Sequence, residues 1–414
     1  MTKPMGAIPA GFEAEAGMLM IGGRRADSLV EEAGDTPLFV YDLARVTAQV
    51  ERFRSACHGV NLHYAIKANT YAPLLRHIGK LVDGLDVASA GEMAAALESG
   101  TEAGEISFAG PGKRDDELSA AIEAGVTLNV ESEGEAERAL AIGRAQGRTP
   151  RIAVRVNPDF EIKGSGMRMG GGAKPFGVDA ERVPALIRKV VEGGGMWRGL
   201  HIFAGSQALS ADALIEAQRA TVALAAELAE AVGAAPPLVN LGGGFGIPYF
   251  ATEAALDVEA VGAALAETLA GRPAILSASG FAIELGRWLV GESGVYLTRI
   301  VDRKLSHGKT FLVTDGGMHH QLAASGNFGQ VVRRNYPVAI ASRFGAPADE
   351  EASIVGCLCT PLDRLADDVM IPRAQVGDLV AVFLAGAYGR SASPEAFLGH
   401  PAPREIAVGR AHRP

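Results

Sequence analysis

The segment Val60-Asn61-Leu62-His63-Tyr64-Ala65-Ile66-Lys67-Ala68-Asn69 carries an apolar run that stops at a lysine. An ammonium at the mouth of a strand is costly to desolvate unless an anion or a covalent partner meets it. Held there and deprotonated, a lysine can form a Schiff base with an aldehyde cofactor. Taken alone, the same pattern also fits a lysine that snorkels out of a strand end. The rest of the chain decides between the two.

Outward from this run, short apolar segments alternate with longer, amphipathic, Ala-rich ones from about residue 37 to about residue 284. The pattern predicts strands at 61–66, 85–88, 105–109, 126–130, 151–156, 199–203, 238–241 and 281–284. It predicts helices at 90–99, 115–124, 134–145, 183–192 and 211–232, the last with Ala, Leu and Val at helical spacing against Glu and Arg. Strands that alternate with helices build βαβ units and a parallel sheet. Eight such units favour a (β/α)8 TIM-type barrel over a doubly wound sheet. Ile275-Leu276 also reads as strand, which leaves the register of the last unit open. After Arg287 the texture changes to strand-like runs at 294–301, 310–314, 337–341, 352–357, 378–384 and 405–408, with turn signals such as Asp315-Gly316-Gly317. The expected class is therefore α/β plus β, a barrel with a mostly antiparallel β domain. Residues 1–36 are expected to join that domain through the 18–24 run, 37–284 to form the barrel, and 285–414 the C-terminal β domain.

Composition narrows the function. A chain of 414 residues exceeds one small core, and 48% hydrophobic with 21% charged residues is ordinary for a soluble enzyme. A net charge of −9 without a long basic run argues against nucleic acid or an anionic membrane as partner. No apolar stretch reaches the roughly 18 residues of a membrane span. Residues 1–15 lack the basic-then-apolar pattern of a signal peptide. Three cysteines cannot make a disulfide framework, which points to the cytoplasm.

Chemistry in such barrels sits at the C-terminal strand ends. Here those ends carry Lys67, Asp86-Val87-Ala88-Ser89, Arg155-Val156-Asn157, His201-Ile202-Phe203-Ala204-Gly205-Ser206, Gly242-Gly243-Gly244 and Glu284-Leu285-Gly286-Arg287. Successive glycine amides can cup an anion, and barrels commonly place a phosphate after strands 7 and 8. Arg287 would add a bidentate cation, although a triple glycine is equally the mark of a tight turn. The other glycine-rich stretch, 164–172, lacks the dinucleotide fingerprint and reads as a mobile loop. A phosphate site, a strand-end lysine and a carboxylate at Glu284 together point to pyridoxal 5′-phosphate, with Glu284 facing the pyridine nitrogen. A close carboxylate raises that nitrogen's pKa by about 1–3 units. A protonated ring is the electron sink that carbanion chemistry needs.

These motifs, with Cys359-x-x-x-Asp363 and Ala385-Gly386-Ala387-Tyr388, resemble the fold-type III PLP-dependent decarboxylases, which include the diaminopimelate, ornithine and arginine decarboxylases. The resemblance covers nearly the whole chain and implies a homodimer with shared active sites. It implies that Lys67 is the Schiff-base lysine and that Glu284 partners the pyridine nitrogen. Ser206, Gly243, Gly244, Arg287 and Tyr388 would contact phosphate, Gly286 falls within the same motif, and Asp86 and Arg155 would flank lysine and ring. Cys359, supplied by the partner subunit, would return the proton after CO2 leaves. Read from the residues alone, Cys357-Leu358-Cys359 fits a buried core thiol, and a Cys-x-Cys metal pair lacks further ligands, so no metal is expected.

The chain also departs from the family. Phe203 stands where a ring-stacking histidine is usual, with His201 two residues earlier. Thr360 replaces the acid that reads a distal amine. Asp315-Gly316-Gly317-Met318 runs on into His319-His320-Gln321-Leu322-Ala323-Ala324 without the arginine of diaminopimelate enzymes. Without these readers, selectivity for diaminopimelate should be poor. The 356–363 segment is similar to an exosortase-associated subgroup, and the wider family includes enzymes acting on aminoacyl groups tethered to carrier proteins. The expected function is amino-acid decarboxylation on a non-standard substrate, free or carrier-linked, with Thr360, Asp363 and His319 as substrate contacts. A PLP racemase and a non-catalytic binder of the same fold are the alternatives. A racemase of that fold carries arginine at the pyridine nitrogen, so Glu284 favours decarboxylation.

Overall fold

The computed structural model describes residues 2–162, 166–168, 170–330 and 332–409. The 164–172 loop expectation falls partly outside them. The chain divides into two compact units. One comprises Val50–Gly246 and Ala255–Gly286, the other Met1–Gln49, Ile247–Ala254 and Arg287–Pro414.

The first unit is a closed parallel barrel. Its strands are β1 (Asn61–Ala65), β2 (Gly84–Val87), β3 (Ile106–Phe108), β4 (Thr127–Val130), β5 (Arg151–Asn157), β6 (Met196–Ile202), β7 (Leu238–Gly243) and β8 (Gly280–Leu285). Each pairs with the next, and β8 returns to β1 in the register Glu284 to His63. Ala274–Leu276 is a 3-10 turn, so the last strand starts at Gly280 and Ile275-Leu276 lies outside it.

Side chains alternate across each strand. Leu62, Tyr64, Leu85, Val87, Phe108, Leu128, Val154, Leu200, Val239, Phe281 and Ile283 are all buried apolar residues on alternate positions. The intervening face is polar. Register places Glu284 beside His63, Asp86 beside Ser107, and His201 between Arg155 and Asn240. Barrel interiors are ordinarily filled with branched aliphatic residues. A buried polar layer costs free energy unless its members satisfy one another, so it marks a site.

The helices begin and end where local chemistry directs. Ser210 accepts from the Ala213 amide at 3.3 Å to start Ala211–Val232, and Gly233 ends it at φ 81°. Ser89 caps Ala90–Glu98, with the Glu92 amide 3.1 Å from Ser89 Oγ, and the Glu92 carboxylate accepts from the Ala88 amide at 2.7 Å.

In the second unit Gly294–Ser306 is the organising strand. It runs antiparallel to Leu38–Asp42, Lys309–Thr314 and Leu379–Val382. Leu38–Asp42 is fully buried and also pairs, in parallel, with Arg404–Val408. That double pairing carries residues 37–49 into the β unit, so the boundary falls at 49/50 instead of near 36. Residues 247–254, expected within the barrel, also group with the β unit. The 18–24 run supplies Met18–Ile21 to a small three-stranded sheet of this unit. An unexpected strand, Arg364–Ile371, pairs with Glu350–Val355.

Candidate active site

Lys67 occupies a 3-10 turn, Ile66–Ala68, directly after β1. Its Nζ lies 3.5 Å from Glu284 Oε1 on β8 and 5.6 Å from the centre of the Phe203 ring. The Lys67 side chain is 46% exposed while Glu284 is 6% exposed, so the pair joins an accessible amine to a sheltered carboxylate. The other Glu284 oxygen, Oε2, is 2.9 Å from His201 Nε2. Burial alone would push the Glu284 carboxyl up. The Lys67 charge, the His201 hydrogen bond and charge, and Arg155 outweigh burial and hold it well below the usual carboxylate range.

The other predicted barrel residues surround this pair. Asp86, buried at the end of β2, accepts a short hydrogen bond from Ser107 Oγ, and its Oδ2 is a buried oxygen without a hydrogen bond. Arg155 Nη1 donates to Glu131 Oε1 at 2.9 Å. Glu131 in turn accepts from the amides of Gly110 and Gly177. A fully sheltered Lys113 meets Glu135 at 2.7 Å and the carbonyls of Gly110 and Asn129. Single-sequence reasoning missed His63, Glu131 and Lys113. It saw His201 only as a displaced stacking histidine. The available signal was two-residue periodicity, because His201 on β6 and Phe203 just past its end are two residues apart, with their rings 6.4 Å apart and near parallel.

Gly243 and Gly244 are required by close approach. A Cβ on Gly243 would fall 1.8 Å from the Glu284 carbonyl oxygen, and one on Gly244 would fall 2.2 Å from that of Gly205. Gly244 also has φ 78°. This main chain is pressed against β8 and against Gly205–Ser206, which pairs with Met167–Arg168. Gly286 sits where a Cβ would crowd Ala68 at 3.1 Å, next to the Lys67 turn.

The remaining predictions lie in the β unit. Arg287 lies 4.8 Å over the Tyr388 ring and donates to Tyr249 Oη at 3.4 Å, while its Nε is buried without a partner. Tyr388 adopts φ 52°, a left-handed conformation that bulky residues rarely take. Cys359 is exposed, as a proton donor to an external group requires. Cys357 is half-buried, and burial first, then Asp363, pushes its thiol up to about 11. Among the described residues no group of three or more His, Cys, Asp or Glu is placed to hold a metal ion.

Two of the residues expected to meet substrate are placed in the interior of the β unit. Asp363 is buried, and its oxygens accept from the Met318 amide at 2.6 Å and the Leu358 amide at 2.9 Å. It braces the 356–363 loop instead of facing a ligand. His319 is fully buried, its ring centre 3.7 Å from that of His320 with the planes tilted by 44°, and both its ring nitrogens lack hydrogen bonds. Thr360 is partly exposed, and its Oγ1 accepts from the Leu362 amide at 3.4 Å. Asp363→Ala is expected to orphan two buried amides at about 1–3 kcal/mol each. A thermal melt should show a lowered midpoint, and an unchanged one would reject the bracing role.

Residues 43–291 match the family described as pyridoxal-dependent decarboxylase, pyridoxal binding domain. The L-glutamyl-[BtrI acyl-carrier protein] decarboxylase of Niallia circulans is 37% identical over 90% of this chain and 88% of its own length. The diaminopimelate decarboxylase of Methanothermobacter thermautotrophicus is 31% identical, over 95% and 91%. The crystal structure of diaminopimelate decarboxylase from M. jannaschii with L-lysine superposes with a TM-score of 0.86 at 27% identity, over 96% of this chain and 93% of that one.

Proposed function

The chain belongs to the pyridoxal-dependent decarboxylases, and from that premise we propose that it removes the α-carboxylate of an amino acid whose far end is carried by a larger group, such as a carrier protein. The observation that carries the reading is the Lys67, Glu284 and His201 chain at the ends of β1, β8 and β6. It provides an accessible amine for the cofactor aldehyde and a buried anion for a ring nitrogen. The cofactor, when bound, supplies the electron sink into which the breaking bond to the carboxylate can empty.

The residues fit pyridoxal 5′-phosphate on three counts. Glu284 is sheltered yet held ionised. Gly243 and Gly244 leave no room for side chains along main chain that can face an anion. Asp86 Oδ2 and Arg287 Nε are buried atoms without a hydrogen bond. In this reading Lys67 ties the cofactor and Glu284 keeps its ring protonated. Ser206, Gly243, Gly244, Arg287 and Tyr388 hold the phosphate. Phe203 gives an apolar surface beside Lys67, Asp86 and Arg155 orient the reacting end, and Cys359 from a second copy returns the proton. A homodimer in the cytoplasm is the corresponding assembly.

The substrate reading rests on what the β unit lacks. Thr360, Ala323 and the buried His319 offer no charged group to an amine or carboxylate at the far end of a free diamino acid. The carrier-linked substrate named for the Niallia circulans relative is consistent with that lack. Carbon dioxide release should therefore be faster, by about tenfold or more, from an aminoacyl group on a carrier protein or its phosphopantetheine than from the free amino acid, a difference of about 1.4 kcal/mol in transition-state binding. Equal or faster turnover of free meso-diaminopimelate or L-lysine would reject the tethered substrate.

A further inference from the structure

Resting on the cofactor reading above, we infer that His63 is a positioning residue that braces Asp86 from beneath the cofactor site and is reached by solvent through the opposite end of the barrel. His63 lies on β1 four residues before Lys67, and its ring is buried. Its Nδ1 lies 3.4 Å from each Asp86 oxygen, with hydrogen-bond geometry only to Oδ1. The same Oδ1 takes the Ser107 hydroxyl, and Ser107 Oγ is fixed by Asn129 Nδ2 at 3.0 Å. Strands β1, β3 and β4 thus converge on one carboxylate of β2. Register sets Asp86 beside Ala65, two residues before Lys67. A carboxylate oriented so thoroughly through one oxygen, with the other buried and without a hydrogen bond, is prepared to receive a donor.

What sets His63 apart from a core histidine is its second surface. A cavity of about 240 Å³ opens among the strand beginnings and is lined by His63, Ser107, Asn129, Asn240 and Arg198. Among the described residues, His63 Nε2 makes no hydrogen bond. The cavity is polar and roomy enough for water, so this nitrogen can exchange a proton without passing the active-site mouth. The charged groups around the ring are Asp86 on β2, Glu284 on β8 and Asp83 in the turn before β2. Arg198 on β6 and Glu105 before β3 line the same cavity. Burial would push the imidazole down, but Asp86, with Glu284 and Asp83 behind it, outweighs burial and raises it above its usual value. The His63 cation is therefore lost only as pH climbs through that raised value.

The test is the affinity of cofactor-free protein for pyridoxal 5′-phosphate between pH 6 and 9, for wild type, His63→Gln and His63→Leu. His63→Leu should bind about tenfold more weakly at pH 6, since a buried carboxylate loses its charged partner. The gap should narrow toward about threefold as pH rises through the raised His63 value and the wild-type ring becomes neutral as well. His63→Gln, which keeps a donor for Asp86 without the charge, should fall between the two and lose the pH dependence that wild type shows relative to it. Equal weakening at every pH would overturn the inference and leave His63 a packing residue, as would unchanged affinity in His63→Leu. If wild type itself binds no cofactor, the decarboxylase reading fails first.

Discussion

Lys67→Ala is expected to abolish both the visible absorbance of the bound cofactor and carbon dioxide release. Lys67 is the accessible end of the Lys67 to Glu284 pair, 46% exposed on a turn that Gly286 packs against. Alanine removes the nucleophile and leaves the turn intact, so the protein should fold. In the proposed function Lys67 ties the cofactor covalently, and loss of that tie should lower kcat/KM by about 10⁴-fold or more, equivalent to about 5 kcal/mol of barrier. Borohydride reduction of wild type should fix the cofactor on the peptide that contains residue 67, and the variant should give no such peptide. Glu284 also loses its largest favourable charge on this substitution, which moves its carboxyl toward the range that burial alone would impose. Retention of the absorbance band in Lys67→Ala would place the Schiff base on another amine and remove the foundation of the proposed function.

The barrel was legible because its punctuation is local. Asp115–Ala124 and Val183–Glu192 appear with the expected bounds, the first stopped by Gly125 at φ 83° and the second started by a proline in its first turn. Strand ends were legible as well, since lysine, aspartate and glutamate after apolar runs stand out without knowledge of partners. Pairings distant in sequence were not. Leu38–Asp42 is buried at every position, so it shows no alternation, and its partners lie near residues 295 and 406. Arg364–Ile371 is interrupted by Asp367-Asp368, two charged residues that break the apolar alternation. In the structure Asp367 is buried against Arg333 at 3.2 Å and Arg364 at 2.8 Å, and Asp368 sits at φ 46°. The site divides the same way. Lys67 and Glu284 could be read singly, whereas His201, His63 and Glu131 acquire meaning only when neighbouring strands bring an ionic partner within hydrogen-bond reach. The burial of Asp363 and His319 was illegible for the complementary reason. A motif position does not reveal burial, and buried carboxylates are commonly occupied with backbone amides.

Glu284→Gln should separate the decarboxylase from its racemase alternative and measure what the buried acid contributes. Glutamine is nearly isosteric and can still hydrogen-bond to His201 Nε2, now 2.9 Å from the carboxylate, so the fold and the Lys67 tie should survive. What disappears is a full negative charge in a sheltered site. A close carboxylate raises a ring nitrogen's pKa by about 1–3 units at about 1.4 kcal/mol each, so turnover should fall by about 10–10³-fold with the cofactor still bound. The sign of the pH dependence follows from the direction of the Glu284 shift. Its folded carboxyl lies below its unfolded value, so the ionised form and the stability it contributes are complete above the unfolded value of about 4.3 and are lost only as pH falls further. Activity lost between pH 8 and 6 in wild type therefore belongs to another group, and Glu284→Gln should lower the rate across that whole range. A reaction that does not draw electrons into a protonated ring would tolerate the substitution. Near wild-type carbon dioxide release in Glu284→Gln, or exchange of enantiomers without release in wild type, would therefore contradict the assigned role of this carboxylate.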